Sequence, residues 1–250
     1  MADARLRRSV ALRAVLFDAF GTIIHPEPGW EGLRDECLAV VHGTWTGRRV
    51  PFREFLAAYE AARAEQHAAL DANLREFDFA ARFRAALVRC GVPLAEAEPW
   101  GPVASERYHR FQQALVHAYD QPLKVLPDLK AAGYRLGLVS NYNHGGVLRD
   151  ALSRLGLLSS FDAVVVSGEV GVLKPHPRIF LAATDALGVA PSEAVMVGND
   201  LDADVRGARA AGLRAVWTPY PRVAPAPVHA DADAVVERLS DLPAVLRRFG

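Results

Sequence analysis

A doubly wound parallel α/β sheet, carrying a large all-helical insert after its first strand, is the fold this sequence predicts. Three observations point there. Five short runs, at 14–17, 135–139, 163–166, 194–197 and 214–217, are rich in Val and Leu and alternate poorly, as strands buried on both faces of a parallel sheet do. Helical segments between the later runs each stop at a glycine, the residue that most readily takes the left-handed conformation past a helix end. The interval between the first and second runs is long, Ala-, Arg- and Glu-rich, and helical in period.

In chain order, the run at 14–17 is the first strand. The segment 26–121 follows with an apolar helical spacing at Phe55, Tyr59 and Ala62, continued by Gln66, and with breaks at Pro51, Pro93 and Pro99. Trp30, Trp45 and Trp100 read as packing between its helices. The core then resumes as helix 127–132 before Gly133, strand 135–139, helix 147–155 before Gly156, strand 163–166, helix 177–187 before Gly188, strand 194–197, helix 204–211 before Gly212, and strand 214–217. Strand–helix alternation at this spacing predicts right-handed crossovers. Four prolines make 219–227 a loop, 233–236 is a candidate edge strand, and Ser240 is placed to cap a last helix with Pro243 in its first turn. The expected organisation is a core of residues 1–25 and 122–250 with a cap of residues 26–121.

The 250 residues are 51% hydrophobic and balance 29 Lys and Arg against 29 Asp and Glu. A nucleic-acid-binding chain usually carries a basic excess, so that class is set aside. Cys37 and Cys90 have no metal-type spacing and read as reduced thiols. Arg5, Arg7 and Arg8 superficially resemble the start of a signal peptide, but the apolar stretch behind them is broken at Arg13 and Asp18. No run reaches the ~18 apolar residues of a membrane span. The expectation is a cytoplasmic protein acting on a small molecule, without nucleic acid or membrane as partner.

In open α/β sheets, function gathers at the carboxyl ends of strands. The first strand ends in Asp18, within Phe17-Asp18-Ala19-Phe20-Gly21-Thr22. The second ends in Ser140-Asn141. After the third comes Lys174-Pro175, and the fourth runs into Gly198-Asn199-Asp200-Leu201-Asp202-Ala203-Asp204. Lys124, Lys130 and Lys174 are the only lysines in a chain that otherwise uses arginine, so a lysine here suggests a need for a compact ammonium. A carboxylate, a hydroxyl–amide pair, an ammonium and an acidic loop on one edge suit nucleophilic attack by a carboxylate on an anionic group.

These four motifs, in this order and on these elements, resemble the haloacid dehalogenase-like hydrolase superfamily, in the subgroup whose helical cap follows the first motif. The resemblance covers about 10–25 and 122–245; the cap matches only in position and helical character. It implies Asp18 as nucleophile and Lys174 as its charge partner, both catalytic. It implies Thr22, Ser140 and Asn141 as the residues that settle the loop and hold the transferring group. It also implies Mg²⁺ held by Asp18, the Phe20 carbonyl and the Asn199, Asp200 and Asp204 loop.

Two departures stand beside the matches. Family phosphatases carry a second Asp two residues after the nucleophile, as acid and then base; here that residue is Phe20. The usual metal-binding Asp five residues before Asp204 is Asn199, with Asp200 adjacent. Three readings follow. A Mg²⁺-dependent phosphatase passing through an aspartyl phosphate, and favouring leaving groups that are already stable anions, is the preferred one. A metal-independent 2-haloacid dehalogenase suits Phe20 and Asn199, but lacks the Tyr that Leu173 replaces; Arg48 or Arg49 would have to bind its carboxylate. A non-catalytic binding protein explains the lost carboxylate but not the retention of Asp18, Ser140 and Lys174 together. His25, His144 and His176 lie near the motifs and read first as solvated loop residues, with His25 the first candidate for a substitute acid.

Overall fold

Val15 and Phe17 point to one face of the first strand and Ala14 and Leu16 to the other, and each pair is buried in a separate apolar layer. Burial on both faces is why the strand reads as an unbroken apolar run. This strand, β1 (Ala14–Phe17), leads through β2 (Ile24–Pro26) into α1 (Trp30–His42), α2 (Phe52–Ala68), α3 (Phe79–Arg89), α4 (Leu94–Ala97) and α5 (Trp100–Ala114), then β3 (Val116–Ala118). The chain continues as α6 (Asp120–Ala131), β4 (Arg135–Ser140), α7 (Gly145–Arg154), β5 (Ala163–Val166), α8 (Ser167–Val170), α9 (Pro177–Leu187), β6 (Ala194–Gly198), α10 (Gly207–Ala210), β7 (Arg214–Trp217), β8 (Ala234–Val235) and α11 (Leu242–Leu246). The computed structural model describes residues 11–47, 49–70, 74–219 and 231–249. Arg5, Arg7, Arg8, Arg48, the Trp30 side chain and most of the proline-rich stretch lie outside the described residues.

The six core strands are parallel, in the order β5-β4-β1-β6-β7-β8. Val125, Leu126 and Leu129 of α6, Leu148 and Leu152 of α7, and Leu242 and Leu246 of α11 cover one face. Ile179, Phe180, Ala183 and Leu187 of α9 cover the other with Val205 and Ala208. The sheet is therefore doubly wound.

Several elements differ from the sequence reading. The helix expected at 127–132 begins at Asp120 and carries Pro127 inside it. Pro122 lies in the first turn, where no N–H bond is lost, and burial of Val125, Leu126 and Leu129 outweighs the break at Pro127. The helix expected at 204–211 starts at Leu201 as a π-wound turn, Leu201–Arg206, because the Asp200 carboxylate caps it through the Asp202 and Ala203 N–H groups, both at 2.8 Å. Ser240 caps nothing: it lies in a 3₁₀ turn, Leu239–Asp241, and α11 has no side-chain cap. The edge strand is shortened to Ala234–Val235. Two strands escaped the sequence reading, since β2 and β3 are three residues each, too short to show a period. They pair antiparallel, His25 opposite His117, and frame the helical insert.

Within the insert, Phe55, Tyr59, Phe83, Leu87, Trp100 and Tyr108 form a third apolar cluster. Trp45 and Trp100 meet edge-on at 5.7 Å, and Trp100 also packs against Phe55 and Phe83, as expected of packing tryptophans. Arg82, 4% exposed, lies over the rings of Phe79, Phe77 and Tyr59 at 4.4, 5.1 and 5.7 Å, so cation–π attraction replaces much of its hydration. The insert is strapped to the core by backbone bonds from Leu173 N–H to the Leu74 carbonyl (2.7 Å) and from Glu76 N–H to the Gly171 carbonyl (3.1 Å). No helix among the described residues is long and apolar enough to cross a membrane.

Phe83 is fully buried among four aromatic neighbours. Phe83→Ala should lower the unfolding free energy by about 3–5 kcal/mol, measured by urea denaturation.

Candidate active site

With β1 between β4 and β6, the carboxyl ends of three strands converge, the position where open α/β sheets bind ligands. Asp18 follows β1, Ser140 ends β4 and Asn199 follows β6. Lys174 arrives from the segment between α8 and α9, and Asp204 from the π-wound turn. The Lys174 ammonium donates to Asp18 Oδ1 at 2.6 Å, Asp204 Oδ1 at 2.8 Å and the Val139 carbonyl at 2.9 Å. All three charged side chains are buried, Asp18 at 7%, Lys174 at 4% and Asp204 at 1% exposure. The second Asp204 oxygen accepts the Asp200 N–H at 3.0 Å. A methyl group on Gly198 would collide with this carboxylate, which is why glycine ends β6. Gly21 is required twice over: its φ is +84°, and a Cβ there would lie 2.5 Å from the Asn199 amide nitrogen.

Burial pushes the Asp18 carboxyl up to about 6; Lys174 opposes that shift and Asp204 adds to it. Burial works against the charged form of Lys174, yet Asp18 and Asp204 together hold it above its ordinary value. The ammonium thus stays charged between the two carboxyl groups.

Asp18, Phe20, Ser140, Asn141, Lys174, Asn199, Asp200, Ala203 and Asp204 line one cavity of about 230 Å³. Thr22, grouped with the substrate-binding residues on the resemblance, does not line it. Thr22 is fully buried and donates to Asp18 Oδ2 at 3.3 Å, so it orients the carboxylate instead. Asn141 lines the cavity, but both its amide atoms bind the Lys174 backbone: Oδ1 accepts the Lys174 N–H at 2.7 Å and Nδ2 donates to the Lys174 carbonyl at 3.1 Å. Its bonds position the lysine. Asp200 faces the cavity while one of its oxygens caps the following turn.

The three histidines have other partners. His25 lies on the ribbon, 4.5 Å from the Tyr119 ring, with Nδ1 at 3.0 Å from the Pro26 carbonyl. His144 Nε2 meets Ser105 Oγ at 2.8 Å, and His176 Nδ1 accepts the Arg178 N–H at 3.1 Å as the cap of α9. Arg49 is exposed.

The sequence reading missed the cleft between insert and core. A cavity of about 210 Å³ adjoins at Phe20 and another of about 260 Å³ at Asn141; Gln112 and Tyr142 line both, Gln113 the first and His109 the second. Phe20 stacks on Tyr142 with ring centres 5.6 Å apart. Tyr142 follows directly on Ser140-Asn141, the one signal available; His109 and Gln113, four apart on α5, carried none. His109 is 3% exposed, with Nδ1 at 2.7 Å from the Ser105 carbonyl and its ring 4.4 Å from Phe79, and burial pushes it down to about 3.

Among the described residues, no three His, Cys, Asp or Glu side chains converge as a ready metal cage. Mg²⁺ does not need one, since it keeps several waters and takes one or two carboxylates. Beside the Lys174 ammonium, the cavity's lining residues bring hard oxygen donors, among them the carboxylates of Asp18 and Asp200 and the Asn199 carboxamide. That donor set fits a hard dication.

Residues 12–212 match the family of haloacid dehalogenase-like hydrolases. The chain belongs to that family. Phosphoserine phosphatase of Thermus thermophilus is 46% identical over 99 residues, 40% of this chain and 39% of that protein. The chain spans about half the length, or less, of the curated relatives it first matches. Among solved hydrolase-family structures, the HAD phosphatase from Thermococcus onnurineus has a TM-score of 0.63 at 29% identity, covering 94% of this chain and 98% of that one. The 2-haloacid dehalogenase from Pseudomonas syringae pv. Tomato has a TM-score of 0.69 at 26% identity, covering 96% and 100%.

His109 yields a pH test. Unfolded histidine takes up a proton near 6.5, while folded His109 resists it down to about 3. Stability from this group is full above pH 6.5 and falls by about 1.4 kcal/mol per pH unit below it. His109→Gln should remove that slope, read as a smaller loss of unfolding free energy between pH 7 and pH 5 than in wild type.

Proposed function

We propose that this protein is a Mg²⁺-dependent phosphatase of small molecules that works through an aspartyl phosphate. The observation that carries the reading is the buried Asp18–Lys174–Asp204 cluster opening onto an oxygen-lined cavity at the sheet edge. Asp18 attacks phosphorus, a P–O bond forms to its carboxylate, and the bond to the leaving oxygen breaks with that oxygen taking the electron pair. Lys174 holds Asp18 Oδ1 and Thr22 holds Oδ2, so the attacking carboxylate is oriented before substrate arrives. Ser140 lines the cavity as a hydroxyl donor for the transferring oxygens, and Asn141 keeps Lys174 in place. Water then cleaves the aspartyl phosphate and regenerates Asp18. Mg²⁺ would be held by Asp18, the Phe20 carbonyl and the Asn199, Asp200 and Asp204 loop, where it supplies charge neutralisation and orientation of the phosphoryl oxygens. In this reading residues 1–25 and 122–250 are the catalytic core, and residues 26–121 are the cap that chooses the substrate.

The acidic loop beside Asp18 and the likeness to a phosphoserine phosphatase and a HAD phosphatase favour phosphoryl over halide transfer. Phe20 supports a second reading, since a halide leaves without a proton, and the 2-haloacid dehalogenase likeness accords with it. Asp18→Asn should abolish turnover under either reading and leave the fold intact; activity above about a tenth of wild type would end the covalent mechanism. Chelation by EDTA should eliminate phosphatase activity, and Asp200→Ala should raise the Mg²⁺ requirement more than Asn199→Ala, because a hard dication prefers a carboxylate to an amide oxygen. Full turnover of 2-haloacids in chelator would establish the dehalogenase.

Phe20 brings no proton to a leaving alkoxide, and losing a general acid typically costs ~10²–10⁴ in rate. The wild-type enzyme should therefore prefer acyl and aryl phosphates to alkyl phosphates. Phe20→Asp should raise kcat/KM toward simple alkyl phosphates more than toward p-nitrophenyl phosphate, and the ratio of the two in wild type and variant is the measurement.

A further inference from the structure

The cavity of about 260 Å³ between insert and core shares Asn141 with the nucleophile's cavity, so one ester can reach across both. His109 lines it from α5. That side chain is 3% exposed, and its Nδ1 lies 2.7 Å from the Ser105 carbonyl. A carbonyl only accepts, so Nδ1 carries the proton, and burial keeps the ring neutral. Nε2 is then a bare acceptor. It has no hydrogen-bond partner among the described residues, yet it is not sealed from solvent. A buried imidazole with an open acceptor on a cavity wall is a group offered to a ligand.

The rest of the wall says what kind. Glu76 brings a carboxylate whose bonds come from neutral donors, the Phe77 N–H at 3.1 Å and the Ser167 hydroxyl. Asn143 gives its Nδ2 to the Phe77 carbonyl at 3.0 Å, which leaves Oδ1 as its remaining polar atom. Both Asn141 amide atoms are taken by the Lys174 backbone, and the Tyr142 hydroxyl interacts with the Gln113 carboxamide. Acceptors therefore outnumber donors, with Gln112 supplying one of each. No Lys or Arg stands among the described lining residues, and the apolar wall includes the Phe77, Phe79 and Tyr142 rings. Arg82 lies over two of these rings but outside the lining, its Nε given to Gln66 Oε1 at 2.9 Å. An ammonium carries three donors and no acceptor, and ring faces attract it. A carboxylate on the ligand would instead meet Glu76 and the bare Nε2.

We propose that this cavity is an ammonium subsite, in which Glu76, His109 and the aromatic wall select phosphate esters whose leaving group carries a primary amine. The inference rests on the phosphatase reading and names its substrate class.

The test is binding to the Asp18→Asn protein in the presence of Mg²⁺, by calorimetry, with a matched set of aryl phosphates: phenyl, 4-(aminomethyl)phenyl, 4-(hydroxymethyl)phenyl and 4-carboxyphenyl phosphate. The aminomethyl ester should bind about tenfold more tightly than phenyl phosphate, a charge-assisted hydrogen bond being worth at least that much. The hydroxymethyl ester should fall between the two, and the carboxyl ester should bind most weakly. Adding Glu76→Gln, which keeps the side chain's shape, or His109→Phe should narrow the aminomethyl advantage to less than about threefold. Phenyl phosphate is the reference within each variant, so a general loosening of the fold leaves the ratio unmoved. Equal affinity for phenyl and aminomethyl esters, a hydroxymethyl ester that binds as tightly as the amine, tighter binding of the carboxyl ester, no binding of any ester, or a preference that survives both substitutions would overturn the subsite. Wild-type turnover of phenyl phosphate is measured separately: its absence overturns the phosphatase reading, whatever the binding series shows.

Discussion

The position of one ammonium governs the arrangement of this site. Lys174 bridges two buried carboxylates that belong to different parts of the fold, Asp18 after β1 and Asp204 after β6. Removing charges from water is expensive, and a buried ion pair recovers that cost only with close geometry and full hydrogen bonding. The structure meets both conditions. The third ammonium proton goes to the Val139 carbonyl, the Asn141 amide clamps the Lys174 backbone, Thr22 takes the far oxygen of Asp18, and the Asp200 N–H takes the far oxygen of Asp204. Residues that would be read one by one as substrate contacts are in good part devoted to holding this charge cluster.

The same constraint reaches into the backbone. Glycine stands at 198 because the Asp204 carboxylate packs where a side chain would begin, and at 21 because the turn needs a positive φ against Asn199. The insert is tied to the cluster as well. Leu74 and Glu76 bond to Leu173 and Gly171, the residues that lead into Lys174, so a few backbone bonds join the insert to the segment that carries the lysine. Phe20 leaves the Asp18 loop to stack on Tyr142, and it lines both the Asp18 cavity and its neighbour. Phe20 thereby becomes part of the wall between the sheet and the helical insert.

Much of the fold was legible in the sequence because its signals are local. The apolar runs at 14–17, 163–166 and 214–217 are strands with those bounds, and the glycines at 133, 156, 188 and 212 all take positive φ at helix ends. Elements were misread where local rules competed with packing. Pro127 looked like a start and sits inside α6, and β2 and β3 are too short for a period to show.

By itself the sequence determined the sheet and which polar residues stand at its strand ends, since a carboxylate, an ammonium and an acidic loop following parallel strands must share one edge. Only the tertiary structure decided which residues of the insert meet that edge. Gln113 and His109 carry no local mark of their place, because it depends on how a packed helical layer sits over the sheet. That docking is set by contacts between residues far apart in the chain, such as Ser105 with His144 and Arg154 with the Gln113 carbonyl. The roles of Asn141 and Thr22 were decided the same way, by which buried group lay within hydrogen-bond reach once three strand ends had been brought together.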